Sequence, residues 1–536
     1  MNKILNRFSK YEKFLFLAVA LANLVPLLGH HFFPTLDGPA HLYNANLINH
    51  MLFHADFDAF FQFNSELVPN LTGHMILCFF RWFLPGYLAE KMLLIVYFIG
   101  LAVAFRRLVK SINPEYIGLS YLIFPISYNF LLSLGFYNFS LGLIGLLLIL
   151  SFWIRNKQTI ASSPKKILIL GIFFILTYFS HILMFSVALL VCSCYLFMSF
   201  LKVVFETGKF KTAFIQEGKK GIALLISSLI PLVLMTLYFG NRPDTGVAIF
   251  LPNEELYKWL NYLNPIICYH EGIESAFTRK IVYILYALII GGIIVRIRDR
   301  FSATKPDEKK RIFHFNDTWL LITGIMLVLL FIMPDDNGSA SIISMRFGLL
   351  FFLFLFIWIS SLKQAKWFAF ICMSLLLALH AKRIRYYDSV MDTYDPIAIN
   401  CNKASAFIKP NSVVAPMNLT GFWFEAHFSN YLGSDKPMIL LDNYEATMNY
   451  FPLLWNMPKL PNFQMGGQRV ADCPLFPWTP SNKQNRKKEV DYVFALGNWD
   501  STNVDHLKTL ELISSNFIQT YKNEHCTLYR RKNLGE

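Results

Sequence analysis

The sequence predicts an α-helical polytopic membrane protein of about eleven transmembrane helices with a smaller α/β domain at its carboxyl end. Three observations lead there. Apolar residues make up 55% of the 536-residue chain, whose mean hydropathy is +0.42. They are gathered into blocks of roughly 15–22, and at about 1.5 Å of rise per residue such a block crosses roughly 30 Å of hydrocarbon. Lysine and arginine collect in alternate connections between the blocks. From Arg383 onward the long blocks stop and short β-rich runs begin. The expected division is therefore a transmembrane domain over 1–382 and an extracytoplasmic domain over 383–536.

Taken in order, the expected spans are 14–29, 88–105, 116–131, 138–154, 166–180, 183–201, 221–239, 281–295, 317–333, 346–362 and 367–380. Lys3, Arg7, Lys10 and Lys13 precede the first and keep the amino terminus in the cytoplasm. No small-x-small cleavage site follows that block, so it reads as a retained span. Leu71 to Leu84 is apolar but short and carries Arg81; as a span it would place Arg106 and Arg107 outside, against the charge rule. It is expected as a helix in the outer interface, Arg81 reaching for head groups. Residues 29–87 then form one long outer loop, with a helix at 38–53.

The formal net charge of +14 does not point to nucleic acid. Arg106, Arg107 and Lys110 sit in one connection. Arg155, Lys157, Lys165 and Lys166 sit in the next, then Lys202, Lys209, Lys211, Lys219 and Lys220, and the densest group runs from Arg296 to Arg311. This is positive-inside asymmetry, which serves topology. The protein is expected in a cytoplasmic (inner) or plasma membrane with its carboxyl-terminal domain outside.

In that domain, Ser412–Ala415, Met438–Leu441, Tyr492–Leu496 and Cys526–Tyr529 read as strands and Asp505–Asn516 as a helix. Asn443–Met465 reads as a long ordered loop. Cys268, Cys401, Cys473 and Cys526 are expected outside, where a disulfide is open to them, and no zinc-like spacing links them.

The chemistry begins at Leu36-Asp37-Gly38-Pro39-Ala40-His41-Leu42-Tyr43. It sets a carboxylate just past the first span, on the outer side. Asp-Gly-Pro is a helix-start signature, with Asp37 as N-cap and Pro39 in the first turn. Equally, Asp37 can face a cavity with His41 one helical turn on, and take the proton from an acceptor hydroxyl. Other candidates for a substrate site are His181 in a tight outer turn, Tyr137 and Asn138, and Glu445 after a predicted strand. Arg346, on the side where arginines are scarce, would suit a lipid phosphate bidentately, with pairing to Asp335 or Asp336 as the alternative.

These features together resemble the GT-C superfamily of integral membrane glycosyltransferases. The likeness is carried by the acidic loop motif Asp37-Gly38-Pro39-Ala40-His41-Leu42-Tyr43 and by Val68-Pro69-Asn70-Leu71-Thr72-Gly73-His74. Further on come the span opening Leu88-Ala89-Glu90-Lys91-Met92-Leu93, ended by Arg106-Arg107, and the block Gly135-Phe136-Tyr137-Asn138-Phe139. Gly38 and Pro39 depart from it, standing where many relatives carry a second charged residue. The resemblance implies transfer of a sugar from a polyprenyl-phosphate-linked donor to an acceptor on the outer face, with membrane lipid and that donor as partners and no nucleic acid. It implies Asp37 as the catalytic carboxylate. Glu66 stands where some relatives have a second loop acid. Glu66, counted with Asp37 as catalytic, would then shape the sugar site together with His41 and His74, and Asp37 and Glu66 with His41 or His74 are the candidate ligands should a divalent metal serve as cofactor, zinc or manganese suiting histidine and carboxylate better than magnesium. A transporter or lipid-linked-sugar flippase would show broken helices at mid-membrane, and a non-catalytic scaffold would not need an acid beside the first span.

Overall fold

The computed structural model describes residues 2–240, 246–302, 315–338, 340–465, 468–469 and 487–534. Among these, eight helices are long and apolar enough to cross a membrane: Gly86–Ile112, Tyr137–Asn156, Ile182–Thr207, Phe210–Gly240, Glu271–Phe301, Phe315–Ile332, Ile343–Ser361 and Lys366–Phe407. The apolar Pro164–Ser180 is shorter, at 17 residues. The chain is thus predominantly helical, as a multi-pass membrane protein requires, with a strand-containing region toward the carboxyl end.

It folds into two compact units. The first holds Met1–Val25, Ile95–Ser133 and Asn138–Tyr386; the second holds Pro26–Leu94, Leu134–Tyr137 and Tyr387–Glu536. The long first loop, expected within the transmembrane domain, is therefore built into the same unit as the carboxyl-terminal residues.

Two expected spans are interrupted. The 14–29 block breaks after the helix Asn2–Ala22, and a short helix restarts at Val25 with Pro26 in its first turn. The 116–131 block is no continuous helix. It is a 3₁₀ stretch, Pro114–Ile123, then the short helices Phe124–Ser127 and Phe130–Ser133. Pro114 and Pro125 lack the N–H groups that a regular helix would need. Carbonyls freed by such a break must find donors, since lipid offers none. Arg383, fully buried, supplies two of them: its Nη1 donates to Pro125 O at 2.9 Å and its Nη2 to Tyr128 O at 3.3 Å, while Nη2 also reaches Ile266 O of a separate turn at 2.7 Å. Bidentate pairs, Arg106 with Glu12 and Arg296 with Asp317, fix two further points of the first unit.

In the second unit a five-stranded mixed sheet runs in the order Ile439–Leu440, Val413–Asn418, Tyr492–Leu496, Cys526–Arg531, Phe517–Lys522; the first two pairings are parallel and the last two antiparallel. The four strands read from sequence are all present, and so is the helix, as Val504–Asn516. Phe517–Lys522 is an addition. The expected loop 443–465 contains two strands, Leu453–Trp455 and Asn462–Met465, and the former pairs antiparallel with Phe61–Phe63 of the first loop.

The helices Gly38–Met51 and Thr72–Arg81 pack against this framework. Tyr43 ties the first to the sheet edge, its hydroxyl donating to Met438 O at 3.0 Å and accepting from Leu440 N at 2.9 Å. The buried amides of Asn44 and Asn443 bond reciprocally at 3.0 and 2.8 Å. Arg81 does not reach for head groups. It is held by protein: Asn46 Oδ1 at 3.0 Å, Leu84 O at 2.8 Å and the Asp435 carboxylate at 3.1 Å. Cys268, Cys401 and Cys526 are free thiols, and Cys473 lies outside the described residues.

Candidate functional site

Asp37 stands at the start of the Gly38–Met51 helix, yet its side chain makes no cap hydrogen bond there, and its backbone is already helical at φ −92°, ψ −12°. The N-cap reading therefore fails on geometry, because a capping side chain needs the extended backbone that turns it back onto the first turn. Something else fixes this residue. Asp37 N donates to Leu134 O at 3.1 Å, and Gly135 comes so close that a Cβ there would lie 2.8 Å from the backbone nitrogens of Asp37 and Gly38. Gly135 also sits at φ +81°, a region costly for any residue with a side chain.

The Asp37 carboxylate turns instead toward the carboxyl-terminal part of the unit. The buried Tyr444 hydroxyl interacts with it, and His427 Nε2 lies 3.6 Å from its Oδ1. His427 and Tyr444 stack at 4.3 Å. The Asp37 side chain keeps 14% of its surface exposed, so a reactant can still touch it. Burial pushes its carboxyl up to about 7, with the charge of His41 and the bond from Tyr444 acting in the opposite sense. Burial drives His427 down to about 4.

Below Asp37 a second polar chain runs through the same turn. Gly38 N donates to Thr35 Oγ1 at 3.1 Å, Thr35 and Tyr137 share a 3.0 Å hydroxyl–hydroxyl bond, and the Tyr137 hydroxyl donates to Glu90 Oε1 at 2.7 Å. A Cβ on Gly38 would meet all three side chains at 2.4–2.5 Å, so only glycine fits. Tyr137 thus lies buried in this network.

Beside it are His41, His74 and Glu445. His41 Nδ1 is 2.7 Å from Glu445 Oε1, and His74 Nε2 is 2.9 Å from Glu445 Oε2. The imidazole planes stand at 84° with centroids 5.0 Å apart. His74 is 1% exposed and Glu445 0%. Burial opposes charge on all three. The carboxylate nonetheless raises the His41 imidazole above its ordinary range, the two histidines hold Glu445 below its own, and for His74 burial wins and lowers it.

Of the candidates read from sequence, Asp37, His41, His74, Tyr137 and Glu445 are brought together in the second unit. Glu66 is in that unit but exposed on its loop, apart from the cluster. Asn138, His181 and Arg346 belong to the first unit. His181 Nδ1 accepts from Leu183 N at 3.2 Å and caps the Ile182–Thr207 helix, and Asp335 Oδ1 accepts from Ser344 N at 3.0 Å at the start of the Arg346 helix. Sequence reading passed over Thr35, Glu90, His427 and Tyr444. Glu90 had a signal, a carboxylate inside an apolar helix. The other three have none at short range. Compared with protein-family models, curated proteins and solved structures, the chain finds no match, and its functional reading rests on this geometry.

Proposed function

We propose that the protein is a membrane glycosyltransferase of the GT-C type. It crosses an inner or plasma membrane about eleven times, with the second unit on the outer face. It moves a sugar from a polyprenyl-phosphate-linked or polyprenyl-diphosphate-linked donor to an acceptor hydroxyl there. The observation that carries this reading is the Asp37 carboxylate, which makes no cap bond and lies 3.6 Å from His427 Nε2 with part of its surface open. In the step proposed, the acceptor oxygen bonds to the anomeric carbon and the bond from that carbon to the phosphate oxygen breaks. The lipid phosphate leaves with the electron pair, and the acceptor's proton passes to Asp37.

Sugar transfer from a labelled polyprenyl donor by purified protein tests it. Asp37→Asn should lower turnover by roughly 10²-fold or more. It should leave thermal unfolding nearly unchanged, since Asp37 caps nothing. An Asn variant as active as wild type would remove the main support. The interrupted 114–133 segment favours a second reading, a flippase for lipid-linked sugars. Liposomes separate the two: a flippase would move the lipid-linked sugar across the bilayer and release no glycosylated acceptor.

A further inference from the structure

The cluster of His41, His74 and Glu445 has a feature that hydrogen bonding alone does not explain. His41 Nε2 lies 3.0 Å from Gly135 O, and the carbonyl can only accept, so that nitrogen carries a proton. The neutral ring then presents the lone pair of Nδ1 to a carboxylate oxygen 2.7 Å away. Yet Nδ1 and Glu445 Oε1, both sealed from solvent, form no aligned hydrogen bond with any partner. His74 faces the same carboxylate from the other side: its inner Nε2 is hydrogen-bonded to Glu445 Oε2 at 2.9 Å, and its outer Nδ1 is sealed from solvent without an aligned partner. Two imidazoles aimed at one buried carboxylate, with the outer nitrogen of His41 fixed on a backbone carbonyl, is the way proteins orient histidines toward a cation.

We infer that His41, His74 and Glu445 form a binding site for one divalent transition metal of the zinc class, with His41 Nδ1, His74 Nε2 and a Glu445 carboxylate oxygen as ligands. The three donor atoms lie within 4.8 Å of one another. A tetrahedral cation at about 2.0–2.1 Å from each ligand sets them roughly 3.3 Å apart, so the carboxylate need withdraw by only about half an ångström. Two nitrogens and one oxygen suit zinc, and magnesium, which prefers six oxygens, is disfavoured. Phe451, with its ring centroid 5.8 Å from His41 and 5.6 Å from His74, screens the pair from water. Three protein ligands leave a fourth position for water or a substrate oxygen. The ligand set differs from the sequence expectation in its carboxylate: both histidines take part, and Glu445 stands in place of Asp37 and Glu66.

The site stands apart from the transferase reading, and its test uses no sugar. Full-length protein in detergent is stripped with a chelator, dialysed against zinc, and its bound metal measured by mass spectrometry. Wild type should retain about one zinc per chain, and His74→Gln and Glu445→Gln should lose it. In parallel, zinc should raise the unfolding temperature of stripped wild type and leave that of Glu445→Gln unmoved. Cobalt should give the intense visible absorption of a four-coordinate site in wild type alone. Wild type that retains no more zinc than the double variant His41→Ala/His74→Ala, or whose unfolding temperature ignores zinc, would overturn the assignment whether or not the variants fold well.

Discussion

Asp442 shows what burial does to a carboxyl whose bonds, from the Ser429 hydroxyl and its own backbone, carry no charge. Its Oδ2 lies 2.5 Å from Ser429 Oγ, and its Oδ1 is sealed from solvent with no hydrogen-bond partner. Burial pushes the group up from 3.8 to about 6, more than the Ser429 bond pulls it down. A folded-state value above the unfolded one means the folded protein holds the proton more tightly. The contribution is then fully present below about pH 4 and is lost as pH rises through about 6, at most about 3 kcal/mol and less where solvent screens it. Asp442→Asn keeps the shape and cannot ionise. The unfolding temperature of the variant minus that of wild type should therefore grow from pH 4 to pH 7. A pH-independent difference would show that Asp442 is not held protonated. The same contrast explains why Asp37 and His41 were legible as candidates, while the partners that tune them, His427 and Tyr444, were not. A carboxylate or histidine beside a span is visible in four residues of sequence, whereas His427 and Tyr444 acquire their role from a fold that closes over nearly four hundred.

At the scale of elements, the turn at Leu134–Tyr137 governs the site more than any helix does. Gly135 holds Asp37 by close approach and His41 by its carbonyl. Gly135→Ala adds a Cβ 2.8 Å from two backbone nitrogens and strains a residue at φ +81°, so stability should fall by about 1–3 kcal/mol. Sugar transfer should fall with it. Gly118→Ala is the control, because nothing lies within 4 Å of its added Cβ; unfolding temperatures of the pair decide the matter, and equal values would refute the role given to Gly135. Element types were largely readable. The helix expected at 38–53 is Gly38–Met51, the interfacial segment is Thr72–Arg81, and the strands at 413, 439, 492 and 526 stand where alternation placed them. The failures have one cause. An apolar block such as 116–131 looks like a span because hydropathy averages over Pro125, and only the fold reveals that Arg383, more than 250 residues on, takes up carbonyls of the break.

For the whole molecule, the charge pattern makes a prediction about sidedness. Reagent that cannot cross the membrane should label thiols placed at the exposed positions Ser65 and Ser501 in intact cells, and should miss thiols placed at the exposed positions Lys209 and Arg300. Labelling at Lys209 would reverse the orientation and remove the outer location of Asp37. Most native cysteines among the described residues are buried, which keeps their background low. Multi-pass architecture was plain from hydropathy alone. That residues 26–94 belong with the carboxyl-terminal residues was not, since no local pattern records that Phe61–Phe63 pairs with Leu453–Trp455.

The 371 positions that separate His74 from Glu445 also set a clock. At about 5–20 residues per second, a ribosome needs roughly 20–75 s to reach the second after making the first. During that interval the early loop is already delivered and has neither its strand partner nor its buried carboxylate. Its histidines wait half-assembled while span after span is inserted behind them. The five-stranded sheet stays unfinished until its last-made strand, Cys526–Arg531, is complete, and a product cut short before Cys526 offers quality control the unpaired edge of Tyr492–Leu496.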